Sequence, residues 1–260
     1  MALFATGGNL GFALGPLLVT LAISPLGRTG GLLLVVPAAA IGALLLRERG
    51  HLSHVRTSRS VGGRADAVDR SRAFTLLLVV IGLRSVAYYG LFTFVPLLEV
   101  SRGHSKSYGN LLLSLVLLAG VAGTLCAGPL ADRLGRRLVL LGSMLLTPGL
   151  VVLYVAVGGI VGAIAACAAG ALIVSTFGIT IVLSQEYLPT RIAMASGMSV
   201  GLATGLGGVA AVVLGAVADA VDLRTALFAT AAGPALAVIV TLLLPGDRGV
   251  PHAPAVMVPR

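Results

Sequence analysis

Arg84 stands about eleven residues inside an apolar run that covers residues 73–100. A charge at that depth in hydrocarbon is expensive unless it faces a partner or water. A guanidinium can grip a carboxylate or a phosphonate through a forked pair of hydrogen bonds. Ser85 is adjacent and Tyr88 lies one turn on, so Tyr88 can share the stripe that Arg84 faces. Arg84, Ser85 and Tyr88 are therefore the candidate substrate-binding residues. The competing roles are a structural ion pair or an interfacial snorkel for Arg84, and plain aromatic packing for Tyr88 beside Tyr89.

A second constellation runs from Gly128 to Leu138 and joins two apolar stretches, each long enough to cross a bilayer. It holds Asp132, Arg133, Arg136 and Arg137, with Gly128 and Gly135 permitting close backbone approach and unusual dihedrals. Such a turn cannot lie in hydrocarbon, and its arginine excess puts it on the cytoplasmic side. Asp132 can meet the polarised N–H groups of a neighbouring helix N-terminus, and Arg133 and Arg136 can pair with it or with lipid phosphates. Gly128, Asp132, Arg133, Gly135, Arg136 and Arg137 are thus a candidate conformational latch; the alternative is a solvated turn with no mechanical role. Glu186, beside Gln185 at the end of a later run, can titrate with proton movement or cap that helix end beside Arg191. Glu99 reads as an interfacial charge, and no acid lies deep in any run.

Small residues form two stripes. Gly7, Gly11 and Gly15 precede Pro16, and Gly197, Gly201 and Gly205 repeat the four-residue period 190 positions later. Each set occupies one helix face, where a neighbouring helix can approach closely. A repeat displaced by six helices fits two parallel six-helix halves, although unrelated glycine stripes are common in membrane helices.

The elements that carry these residues follow from composition. The 260 residues are 57% hydrophobic and 10% charged, with a mean hydropathy of +1.05; a soluble domain would be about a quarter charged. Apolar runs fall near residues 2–23, 31–46, 73–100, 109–130, 138–157, 160–185, 193–218 and 225–244. This predicts an all-α polytopic transmembrane bundle in contact with the lipid bilayer. Residues 47–72, with seven arginines, read as a cytoplasmic linker between two helices (1–46) and six (73–245), and 246–260 as a cytoplasmic tail. Thirteen of the eighteen basic residues fall on one side of such an arrangement and four on the other. Both termini are therefore expected in the cytoplasm of a multi-pass protein of the inner (plasma) membrane. The net charge of +9 is a topology signal and makes no case for nucleic acid. Cys126 and Cys167 lie in apolar runs as packing residues, and the scattered histidines make no metal site. No nucleophile–base pair or phosphate-cradling loop points to an enzyme, and nothing calls for a cofactor.

Gly128-Pro129-Leu130-Ala131-Asp132-Arg133-Leu134-Gly135-Arg136-Arg137 resembles the loop signature of the major facilitator superfamily of secondary transporters. Gly7, Gly11, Gly15 and Pro16 resemble the antiporter motif of its drug-exporting members, with Val19 and Thr20 where a glycine pair often follows. The match is closer to the fosmidomycin-resistance type of efflux transporter. It rests on Gly8-Asn9-Leu10-Gly11-Phe12-Ala13-Leu14-Gly15-Pro16, on Leu83-Arg84-Ser85, on Leu91 to Leu97, and on Gln185-Glu186 through Met194-Ala195-Ser196-Gly197. The resemblance implies proton-coupled efflux of a small drug-like or anionic compound by alternating access. It also implies that these are the last eight helices of two six-helix halves, an N-terminally truncated form. The other reading is a non-transporting eight-helix fragment, or a partner of another membrane protein.

Overall fold

The structure is a computed structural model that describes residues 10–11, 13–21, 35–47 and 68–246. Gly7, most of the expected linker and the tail beyond residue 246 lie outside the described residues. Residues 13–21 are helical, and α1 spans Val35–Arg47. The main body follows as α2 (Ser71–Ser101), α3 (Lys106–Leu134), α4 (Arg136–Val157), α5 (Gly159–Tyr187), α6 (Ile192–Ala220), α7 (Leu223–Thr230) and α8 (Ala232–Leu242). Counting α7 and α8 as one span, six helical spans among the described residues are long and apolar enough to cross a membrane. No strand occurs among the described residues.

The helices begin and end within a few residues of the apolar runs because hydrocarbon admits only backbone whose hydrogen bonds close internally. Turns are short and use glycine where the chain must reverse. Gly135, at φ 93°, joins α3 to α4, and Gly158 and Gly159, at 65° and 56°, join α4 to α5. The last run departs from a single helix and divides at Ala231. Pro234 has no N–H to give the Thr230 carbonyl, and the Thr230 hydroxyl bonds back to the Leu227 carbonyl at 2.6 Å. By contrast α4 passes Pro148 as one helix.

Glycine also sets helix spacing, although not where the sequence pattern put it. At the α3–α5 contact, a methyl group on Gly123 would fall against the Ala171 backbone, and one on Gly170 against the Val116 backbone. The Gly197, Gly201 and Gly205 face of α6 is exposed instead, with nothing within 4 Å of a Cβ built at any of the three. That helix packs through the same four-residue period in another register. Ala195, Ser199, Ala203 and Gly207 are buried, and Gly207 makes room for the Tyr89 ring of α2. Periodicity alone does not say which of two small-residue faces a helix buries.

Two apolar clusters fill the bundle. One gathers Phe74, Leu77, Ile81, Leu140, Met144 and Leu183 toward the end that carries the Gly135 turn. The other gathers Leu91, Phe94, Val95, Val151, Tyr154 and Leu227 toward the opposite end. Between them lies a belt of buried polar side chains: Arg84 and Ser85 on α2, Ser143 and Thr147 on α4, Ser175 and Thr176 on α5.

Gly123→Val is expected to overpack the α3–α5 contact at a cost of roughly 1–3 kcal/mol, whereas Gly142→Ala, at an open position, changes stability little. Thermal unfolding of the two variants in detergent checks the contrast.

Candidate functional site

Arg84 is 3% exposed at the middle of α2. One Nη donates to the Ile173 carbonyl of α5 at 2.9 Å, and the guanidinium lies 5.6 Å from the centre of the Phe177 ring. Its Nε has no hydrogen-bond partner. Among the described residues no carboxylate pairs with it, so the structural ion pair considered for this residue is not formed there. Burial also removes the interfacial snorkel. Ser85 is buried beside it and donates to the Ile81 carbonyl of its own helix at 2.8 Å, which turns its hydroxyl away from Arg84's partners.

Tyr88 packs edge-on against Tyr89 and stacks on Phe92, with ring centres 5.2 and 6.4 Å away. It borders a small cavity of about 10 Å³, walled by Leu91 and Phe92 of α2, Leu113 and Val116 of α3, and Gly170, Ile173 and Val174 of α5. Ile173 thus accepts from Arg84 through its carbonyl and lines, with Tyr88, the small cavity. A wider groove of about 560 Å³ lies nearby, between Gly11, Gly15, Pro16 and Val19 of the first helix and Phe92, Asn110 and Leu113. Gly11 and Gly15 border this open space without close contact, while Ala13 is buried in a cluster with Leu113, Leu117 and Val121. Asn110 donates to the Thr20 hydroxyl at 2.9 Å.

At the arginine-rich end the charged turn makes specific bonds. Arg136 is ion-paired with Glu186 across α4 and α5. Arg137 reaches α8 and donates to the carbonyls of Thr241 and Leu242, at 3.3 and 2.6 Å. Asp132 and Arg133 are exposed and form no ion pair among the described residues. The expected pairing of Asp132 with Arg133 or Arg136 is therefore replaced by Arg136–Glu186, because Arg136 begins α4 and points across to the end of α5. Glu186 likewise meets Arg136 and not Arg191. Arg191 lies 3.9 Å from Asp69, a residue the sequence did not single out. Asp69 also accepts from the Thr190 N–H and hydroxyl, at 3.1 and 2.5 Å, and the Arg70 N–H bonds to the Tyr187 carbonyl at 2.7 Å. These bonds tie the start of α2 to the α5–α6 turn.

The opposite end holds a cluster that sequence reasoning missed. Glu99, expected at the interface, is 3% exposed. One of its oxygens accepts from Arg102 at 2.8 Å and from the Tyr154 hydroxyl at 3.1 Å, and the other meets His104 Nδ1 at 2.9 Å. Arg102 also donates to the carbonyls of Tyr154 and Val155, at 3.2 and 2.7 Å, near the end of α4. The available signal was the spacing of Glu99, Arg102 and His104, which places three partners on one helix end and its turn.

A family model described as Major Facilitator Superfamily matches residues 1–211. The chain belongs to the major facilitator superfamily. Among curated proteins it is 31% identical to the uncharacterized MFS-type transporter YfnC of Bacillus subtilis strain 168, over 95% of this chain and 63% of that protein. It is 32% identical to the fosmidomycin resistance protein of Escherichia coli strain K12, over 95% and 62%. The chain therefore spans about three fifths of the length of these relatives. Two solved structures of the transporter FucP share the fold. One, in the outward conformation, has a TM-score of 0.62 at 20% identity, covering 68% of this chain and 43% of that one. The other, of the E. coli fucose:proton symporter, has a TM-score of 0.62 at 19% identity over 68% and 44%. In this superfamily member the six long apolar spans make a multi-pass membrane protein.

Removing Glu99 takes the anionic partner from a largely buried Arg102, which keeps only its two carbonyls, and the shorter of two contacts from the Tyr154 hydroxyl, so Glu99→Ala is expected to cost about 3 kcal/mol. Tyr154→Phe, which deletes one bond, is expected to cost about 1 kcal/mol. Denaturation of both variants in detergent measures the ratio. Hydrogen bonding from Thr190 holds the Asp69 carboxyl below its ordinary value. Such a group adds stability that is complete above its unfolded range, about pH 3.9, and is lost as pH falls through the lower folded value. The stability difference between wild type and Asp69→Asn should therefore shrink as pH is lowered from about 5 to about 3, as read by unfolding at each pH.

Proposed function

We propose that the protein is a secondary active transporter of the inner (plasma) membrane that exports a small anionic or drug-like compound by alternating access. Export is coupled to protons, and both termini face the cytoplasm. The observation that carries the substrate reading is Arg84, a buried cation at mid-span with an unpartnered Nε and no carboxylate beside it among the described residues. An oxyanion supplies the missing charge, and Tyr88, converging on the same stretch of α5, supplies an aromatic wall for its apolar part. Support for export comes from the 32% identity to a fosmidomycin resistance protein. Proton coupling rests on the antiporter resemblance of Gly7, Gly11, Gly15 and Pro16. The positive-inside excess supports the orientation.

The arginine-rich end serves as the latch. Arg136–Glu186 and the Arg137 bonds to α8 hold its fixed part together. The exposed Asp132 and Arg133 engage the moving bundle or lipid phosphates.

Cells stripped of their own exporters and given this gene are expected to accumulate less radiolabelled fosmidomycin than controls, and Arg84→Gln is expected to lose the difference. Equal accumulation with and without the gene contradicts the efflux reading. Asp132→Asn is expected to cripple transport while the protein stays in the membrane; normal transport by that variant removes the latch.

A further inference from the structure

α5 carries hydroxyls bonded back to its own main chain where Arg84 touches it. The Ile173 carbonyl accepts from Arg84 and also from the Thr176 hydroxyl at 2.8 Å. The preceding carbonyl, Leu172, accepts from Ser143 of α4 and from Ser175, both at 2.8 Å. Further on, Thr180 donates to Phe177 and Ser184 to Ile181, at 2.9 and 2.7 Å. Hydroxyls that bond back three residues compete with the helical ladder and bend the helix. Four of them fall in the ten residues after Val174, and side chains from α2 and α4 pull on adjacent carbonyls at the start of that stretch.

The cavity beside Tyr88 holds only about 10 Å³, room for about one water. A ligand larger than water enters only if a wall moves. Gly170, Ile173 and Val174 of α5 are part of that wall. The same helix is therefore the cavity's wall and Arg84's resting partner.

We infer that Arg84 is a two-position switch. At rest it donates to the Ile173 carbonyl and lies on the Phe177 ring; an oxyanion of the phosphonate, phosphate or carboxylate class entering beside Tyr88 draws it off both. The exchange is favourable for the guanidinium. It gives up one carbonyl bond and the Phe177 ring contact for an ion pair that also employs its unpartnered Nε. Once Arg84 is drawn off, the Ile173 carbonyl keeps only its bonds within α5, so substrate binding is transmitted along a helix that ends at the Glu186–Arg136 pair. The switch rests on the anion reading of Arg84 above.

The chain contains no tryptophan, so Phe177→Trp places its single tryptophan against the guanidinium, excited at wavelengths where the tyrosines do not absorb. The full chain carrying F177W, in lipid nanodiscs, is titrated with methylphosphonate at constant ionic strength, and binding is followed in parallel by calorimetry. A saturable fluorescence change that tracks the calorimetric isotherm is expected, together with its loss in F177W/R84Q. Binding without a fluorescence change overturns the switch and leaves the anion site standing. No binding overturns both. If R84Q does not fold, R84K keeps the charge but lacks the fork. It is expected to bind at least about tenfold more weakly, a loss of about 1.4 kcal/mol, with no fluorescence change; an unchanged response in R84K overturns the switch.

Discussion

The bond from Arg84 to the Ile173 carbonyl crosses the middle of the bundle, where hydrocarbon surrounds the helices and a lone charge is least tolerable. Around it the core is not continuous. Apolar clusters occupy the two halves, and a belt of hydroxyls from α2, α4 and α5 fills the waist between them. Nearly every hydroxyl in that belt bonds to a main-chain carbonyl, which satisfies it without needing another side chain. The arginine is the exception: it is held by one carbonyl and one ring, with a donor left over.

The same chemistry recurs at both ends of the bundle. Arg137 donates to carbonyls near the end of α8, and Arg102 to carbonyls near the end of α4. The last carbonyls of a helix have no partner within it, and the helix dipole favours a cation there. Arginine meets both needs with several donors in a rigid fork. In a chain without tryptophan and with a single lysine, arginine also does much of the work of fixing helix ends relative to one another. Ionic contacts then differ by end. The Arg136–Glu186 pair is partly exposed and adds little to stability. Glu99 is buried among Arg102, His104 and Tyr154, which suits a fixed fastening of α2 to α4.

Much of this arrangement is legible in the sequence because hydropathy is a local property. Each span from residue 73 onward lies where its apolar run lies, and the Gly135 and Gly158–Gly159 turns fall where glycine interrupts a run. The depth of Arg84 follows from its place in a run. What the sequence leaves open depends on partners far along the chain. The sequence offers Glu186 the neighbouring Arg191, yet fifty residues separate it from the Arg136 that it meets. Glu99 looks interfacial until the Tyr154 hydroxyl, 55 positions away, is placed over it. The glycine stripe of α6 lies on an exposed face, while Ala195, Ser199, Ala203 and Gly207, with the same period of four, are buried. Only packing against α2 chooses between them.

An experimental structure of the chain in nanodiscs, solved with methylphosphonate, tests the central claim most directly. Density for the phosphonate between Arg84 and Tyr88, with the guanidinium off the Ile173 carbonyl, is the expected result. An Arg84 still seated on that carbonyl, with the phosphonate absent or bound elsewhere, contradicts it.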